Sequence, residues 1–168
     1  MKNSAVKYIG KFLLSFLMIA ILNTQTLGMN VKENKQGEDT RKEIIKSLNR
    51  MNEMLATKDL QKVMSVYDDS DDIMVIGSDS GEVYIGRERV QKFMKMIVNA
   101  PFIFSFEMEP STITIDNDRA WVFIDGKMIH STPKGKVGKV PYRILAIMVK
   151  SHDEWKWKVF SGSIPRGE

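Results

Sequence analysis

Arg143 stands alone as a charge in the apolar stretch Tyr142 to Val149. A guanidinium in such company needs an anionic partner. Two partners suit it: the carboxylate of a bound ligand, gripped by the fork of N–H donors, or an acid on a neighbouring helix. The residues leave both readings open. Tyr67, Tyr84, Trp121 and Tyr142 are aromatic side chains with polar tips, suited to lining a cavity that is apolar on one side and wet on the other. Each also suits ordinary core packing. Trp155 and Trp157 share one face of a strand and read as core or as contact surface.

Several constellations that could carry chemistry fall away on spacing. His130 adjoins Ser131, but successive strand residues point to opposite faces, so they make no catalytic pair. His152 sits in a Ser-His-Asp-Glu turn and is expected in solvent. Asp68, Asp69, Asp71 and Asp72 lack the alternate-residue spacing and the turn glycine of a calcium loop. The chain has 12 methionines, which would suit a copper(I) site. Met51, Met54, Met64, Met94 and Met96, however, mostly recur on apolar helix faces, where methionine fills core. The run Lys134 to Lys139 has the glycines of a phosphate grip without the strand-loop-helix context, and reads as a hairpin tip. With no cysteine, thiolate metal sites, thiol nucleophiles, disulfides and lipid attachment at a cysteine are excluded. No metal and no cofactor is expected.

The positioning elements begin after an export signal. Lys2, Lys7 and Lys11 precede the apolar run Phe12 to Leu22, then polar Asn23 to Gln25 and small residues at Thr26 and Gly28. That order predicts a signal peptide over 1–28 and a protein that is periplasmic or secreted. An uncleaved anchor is the competing reading, but a bilayer core asks for about 20 apolar residues. No stable membrane insertion is expected after cleavage. The segment holds three of the 25 Lys and Arg and none of the 21 Asp and Glu, so the remainder is nearly neutral and gives no sign of a nucleic-acid partner.

Residues 29–39 lack periodicity and read as a flexible leader, ahead of one domain over 40–165. Thr40 and Glu43 have capping-box spacing, and Ile44, Leu48, Met51 and Leu55 form one helical face. A second helix is expected after a cap at Thr57, with Leu60, Val63, Met64 and Tyr67 inward. Strands at 73–76 and 82–85 flank a turn, and Gly86 opens a third helix bearing Val90, Phe93, Met94 and Ile97, closed by Pro101. From Phe102 onward the pattern is strand after strand. Asp125-Gly126 is either a tight turn or a bulge within one long strand. The order predicts an α+β half-barrel, a curved antiparallel sheet wrapped around three N-terminal helices. Both faces of Tyr142 to Val149 are apolar, whereas a sheet wetted on one side alternates. The uncovered face predicts a homodimer, with further packing within the chain as the alternative.

Two stretches resemble a known family. Leu55 to Leu60, Val66-Tyr67-Asp68-Asp69 and Tyr84 to Glu88 are similar to a helix-linking "gD", an "lYaDD" helix end and a "G-x-e" opening of the third helix. Tyr142 to Met148, Trp155 to Val159 and Ser161 to Pro165 resemble an arginine-bearing strand, a "G-x-W-k-i" hairpin and a closing "h-x-S-x-P". Together they resemble SnoaL-like domains of the nuclear transport factor 2-like superfamily, and the related association domain of calcium/calmodulin-dependent kinase. The resemblance implies a cone-shaped fold with a pocket between sheet and helices, and an arginine at 143 pointing into it. It also implies where the catalytic ketosteroid isomerases carry their machinery. The base falls near Ile76-Gly77, the helix-borne tyrosine near Met51, the second acid near Arg143, and a His-x-His pair at Val159 and Ser161. None of these residues repeats the chemistry. The expectation is therefore no catalytic residue, and a pocket of Arg143, Tyr67, Tyr84, Trp121 and Met51 holding a small anionic or apolar ligand. The alternative is an isomerase, cyclase or dehydratase with Asp79 or Glu107 as base.

Overall fold

A computed structural model describes residues 36–165. The expected signal peptide, and the leader as far as residue 35, lie outside the described residues. The described residues fall into two compact units, one holding 36–40 and the other 41–165. In the first, residues 36–40 are helical. Thr40 is thus already in helical conformation and does not cap a helix start with Glu43, whose carboxylate lies 3.5 Å from Lys150 instead.

The second unit opens with α1 (41–57), which buries Ile44, Leu48, Met51 and Leu55 as their spacing predicts. Burial of one such side chain is worth about 1.5–3 kcal/mol. Helix α2 (Leu60–Met64) is capped by Asp59 rather than Thr57. The Asp59 carboxylate accepts from the amides of Gln61 and Lys62 at 2.9 and 3.2 Å, while the Thr57 hydroxyl donates back into α1, to the Met54 carbonyl. A carboxylate that meets two free amides at the positive end of a helix outcompetes a hydroxyl two residues too early. Helix α3 (Arg87–Asn99) starts at Gly86, whose φ of 93° is open to glycine alone at little cost.

Seven strands follow or intervene: β1 (Met74–Ile76), β2 (Val83–Ile85), β3 (Ile103–Phe106), β4 (Thr112–Asp116), β5 (Arg119–Ser131), β6 (Val137–Ser151) and β7 (Glu154–Ser163). They form one sheet in the order β2-β1-β7-β6-β5-β3, with β4 also paired to β5. Asp125 and Gly126 lie in unbroken register with β6, so β5 is one continuous strand with neither turn nor bulge there. Its first half pairs with β4 and its second half with β3. The hairpin between β6 and β7 turns on His152 and Asp153, both at positive φ, as a two-residue hairpin requires. The sheet is a curled half-barrel carrying the three helices, as expected. One pairing differs from an all-antiparallel sheet: β1 runs parallel to β7.

That parallel joint is what brings helices and sheet together. Just ahead of β1, the Asp68 amide donates to the Trp157 carbonyl and the Trp157 amide to the Val66 carbonyl, both at 2.9 Å. Two cations then pin the acidic loop that follows. Lys158 on β7 binds Asp68, Ser70 and Asp72, and Arg87 on α3 donates to the Asp68 carbonyl at 2.8 Å and faces Asp69. Asp68, Asp69 and Asp72 are therefore a fastening rather than a freely solvated loop, while Asp71 joins only through its carbonyl, which accepts from the Arg87 amide at 3.3 Å. Despite the cost of partial burial, hydrogen bonds and charge from Ser70 and Lys158 hold the Asp68 carboxyl below its usual range. Hydrogen bonding to Lys158 does the same for Asp72, and the two carboxylates together raise the Lys158 ammonium against its own desolvation.

A carboxyl lowered by folding contributes stability above its unfolded value and loses it as pH falls through the folded one; a raised amine loses its contribution as pH rises through its folded value. The fastening should hold between about pH 4 and about pH 10. Lys158→Met is expected to cost roughly 1–3 kcal/mol at pH 7, read as a drop of several degrees in Tm. Its Tm should also fall less steeply than that of the wild type below pH 4. Parallel curves for the two proteins would show that the loop does not depend on this lysine.

Candidate functional site

A cavity of about 190 Å³ lies between the helices and the inner face of the sheet. Helix α1 contributes Met51 and Leu55 to its wall, and α3 contributes Phe93, Met94 and Ile97. Strand parity supplies the rest. Along β6 the residues Tyr142, Ile144, Ala146 and Met148 turn inward, and along β5 Ala120, Val122 and Ile124 do. Of these, Tyr142 reaches the cavity, joined by Met128 from β5, Phe160 from β7 and Phe104 and Phe106 from β3. Ring centroids of Phe106 lie 5.5 Å from Tyr142 and 5.7 Å from Phe160. Phe106 is set by an unusual hold: the Asn52 amide donates to its carbonyl at 2.7 Å and accepts from its N–H at 2.9 Å.

Tyr67 forms part of the wall, placed by the joint to Trp157. Its hydroxyl is buried without a hydrogen-bond partner among the described residues, and burial raises its pKa, so the phenol stays neutral at any ordinary pH. The polar rim is the turn between β1 and β2, where Gly77, Ser78, Asp79 and Glu82 border the opening. The Gly77 amide donates to the Glu82 carbonyl at 2.8 Å. The Glu82 carboxylate folds back to accept the Asp79 amide at 3.1 Å. Burial pushes the Tyr142 phenol above its usual value; a hydrogen bond with Ser78 opposes the rise, and the charges of Glu82 and Asp79 add to it.

Of the five residues expected to form the pocket, Met51 and Tyr67 line it. Tyr84 does not reach it, but stacks on Phe93 at 4.3 Å and so backs one wall. Trp121 and Arg143 lie on the other side of the sheet. Both belong to the odd-numbered set of their strands, whose side chains point away from the helices. Arg143 meets Asp125, its cross-strand neighbour on β5, at 3.3 Å, with the side chain 49% exposed. The anion partner it needs is therefore an acid of the sheet itself, neither a helix acid nor a ligand in the cavity. Glu107, the other acid considered as a base, faces Lys127 at 3.7 Å and takes no part in the cavity wall. Trp155 and Trp157 point inward and are core.

The outer face carries its own pattern. Trp121, Phe123 and Leu145 are 39%, 39% and 48% exposed. Their register places Trp121 opposite Ile147 and Phe123 opposite Leu145, so they form one continuous apolar patch beside the Arg143–Asp125 pair. Among the described residues, no three His, Cys, Asp or Glu side chains gather closely enough to hold a metal ion.

Comparison with known proteins places this geometry. The profile of a SnoaL-like domain matches residues 44–167. Among solved structures, the chain is similar to a candidate dehydratase of the NTF2-like family from Streptomyces avermitilis (TM-score 0.66, 14% identity, covering 77% of this chain and 99% of that one). It is similar to an NTF2-like superfamily protein from Salmonella enterica (TM-score 0.65, 14% identity, 78% and 94%). A candidate calcium/calmodulin-dependent protein kinase II association domain from Xanthomonas campestris also resembles it (TM-score 0.57, 20% identity, 71% and 84%). No curated protein matches the sequence.

Since the Asn52 amide satisfies both main-chain groups of Phe106, Asn52→Ala leaves a donor and an acceptor unmet. A loss of about 1–3 kcal/mol is expected in urea unfolding. A variant as stable as the wild type would show that Phe106 is held by packing alone.

Proposed function

The chain belongs to the SnoaL-like domain family, and we propose that it is an exported, dimeric protein that holds a small, largely apolar molecule without transforming it. The observation that carries binding is the cavity itself, walled by aromatic, methionine and aliphatic side chains with polar groups confined to one rim. Interiors otherwise pack closely, and an apolar hollow with a few convergent polar groups is the usual form of a ligand site. The absence of catalysis is supported by Gly77, which stands where the resembling isomerases carry their base, and by Met51 in place of their tyrosine. The ligand preferred is apolar rather than anionic, because Arg143 lies on the far face and the rim is acidic.

Self-association is supported by the outer patch. Trp121, Phe123, Leu145 and Ile147 make a face that a second copy of the same face would cover. Arg143 and Asp125 at its margin are self-complementary across a two-fold axis. The similarity to an association domain points the same way. Export rests on the sequence of residues 1–28 alone.

A second reading, an acid–base enzyme, is favoured by one observation: Asp79, Glu82 and the Tyr142 phenol border the same opening. The similarity to a candidate dehydratase adds to it.

Native mass spectrometry of the protein recovered from outside the cytoplasm tests these points together. Expected are a subunit shortened by about 28 residues, a dimer, and a retained small molecule. Ile97→Trp, which drives an indole into the cavity, should lose the molecule and keep the dimer. Leu145→Asp should give a monomer that keeps the molecule. A full-length mass, a monomeric wild type, or retention unaffected by Ile97→Trp would each remove the corresponding part of the proposal. Uptake of solvent deuterium by the retained molecule would favour the enzyme.

A further inference from the structure

Gly77 and Glu82 together decide what charge the cavity tolerates. A side chain at 77 would begin in space already filled, since its Cβ would lie 1.9 Å from Glu82 Oε2. The φ of Gly77 is not in the left-handed region. What the missing side chain provides is room, and the Glu82 carboxylate occupies it. The Asp79 amide then holds that carboxylate in place at the rim. Asp79 contributes a second carboxylate beside it, and neither acid is in a salt bridge among the described residues. Among the described residues, no Lys, Arg or His borders the opening.

Behind this anionic rim stand aromatic faces, with Phe106 in contact with both Tyr142 and Phe160. A cation near such faces is attracted by their negative quadrupole, and more strongly where water is excluded. Coulomb attraction to two unpaired carboxylates acts in the same direction. A carboxylate ligand would face the opposite on both counts, with two like charges at the entrance and no donor fork to receive it.

Resting on the binding function proposed above, we infer that the cavity selects amines: an apolar body lies among the rings while an ammonium group sits at the mouth between Glu82 and Asp79. The choice is made by the rim, and the affinity common to all ligands of that shape is supplied by the walls. Rim and wall are therefore separable by mutation.

Calorimetric titration of the purified protein with three probes of one shape, naphthylethylamine, naphthylethanol and naphthylacetate, separates them. The amine is expected to bind about tenfold more tightly than the alcohol, and the acetate more weakly than either. In the isosteric double variant Glu82→Gln/Asp79→Asn the amine should fall to the level of the alcohol, while the alcohol is unchanged. Gly77→Ala keeps both charges but evicts the Glu82 carboxylate, and should reduce the amine preference on its own. Equal binding of amine and alcohol to the wild type would overturn the inference and leave the binding function standing. So would a preference that survives the double variant. Failure of all three probes would bring down the binding function as well.

Discussion

The whole arrangement hangs on a short parallel seam. Val66 to Asp68 and then β1 lie along β7, tied by main-chain bonds to Trp157 and onward through Phe160 and Ser161. A parallel pairing cannot be closed by a tight turn, so its two sides come from opposite ends of the domain, the helical part and the last strand. Once the seam forms, Tyr67 is in the cavity wall, the β1–β2 turn is at its mouth, and α3 is brought across by Arg87. The Asn52–Phe106 and Glu43–Lys150 contacts tie α1 to the sheet separately, but only the seam sets the segment between α2 and β1. The fastening of the acidic loop by Lys158 and Arg87 is best understood as reinforcement of this seam from the solvent side.

The division of charge follows from strand parity. No polar or charged residue is buried among the described ones, so apolar packing and main-chain bonding carry the interior, as they must in a chain without cysteine. Every strand of the long hairpin offers one face to the helices and the other outward. On β6, a step of one residue separates Tyr142, at the rim of the cavity, from Arg143, on the far face. The sheet is therefore a partition with two apolar sides of different purpose. One is concave and edged with acids, and the other is broad and edged with an ion pair.

Much of this was legible in the residues. The spacing of Ile44, Leu48, Met51 and Leu55 marks a buried helix face because a helix of that length has one way to hide it. Gly86 and Pro101 bracket α3 because each restricts the backbone locally. Helix starts were less legible: Thr57 and Asp59 are both able to cap, and only geometry chooses the carboxylate. The two-residue set of Asp125 and Gly126 looked like a break, yet a long strand tolerates it when Gly126 allows the Glu107 main chain to pass close by. Both alternating faces of Tyr142 to Val149 could be read, but not which of them meets the helices. Hence the residues alone place Trp121 and Arg143 in the cavity, whereas the folded sheet turns both to its outer face. Glu82 had no signal at all, because its place depends on a vacancy five residues upstream that becomes visible only when the turn is folded.

One small contact bears on how the molecule ends its own architecture. Strand β3 is a border of the sheet, and Phe106 turns its N–H and C=O away from β5, toward where another strand would add. An exposed border of this kind invites the backbone of a stranger. The carboxamide of Asn52 presents to Phe106 the same donor and acceptor as a peptide group, so the position is taken by a side chain of the protein's own first helix. The helix thereby serves as a terminator for the hydrogen-bond ladder, and further growth of the sheet at that point would have to displace part of the molecule's interior architecture rather than merely dock beside it.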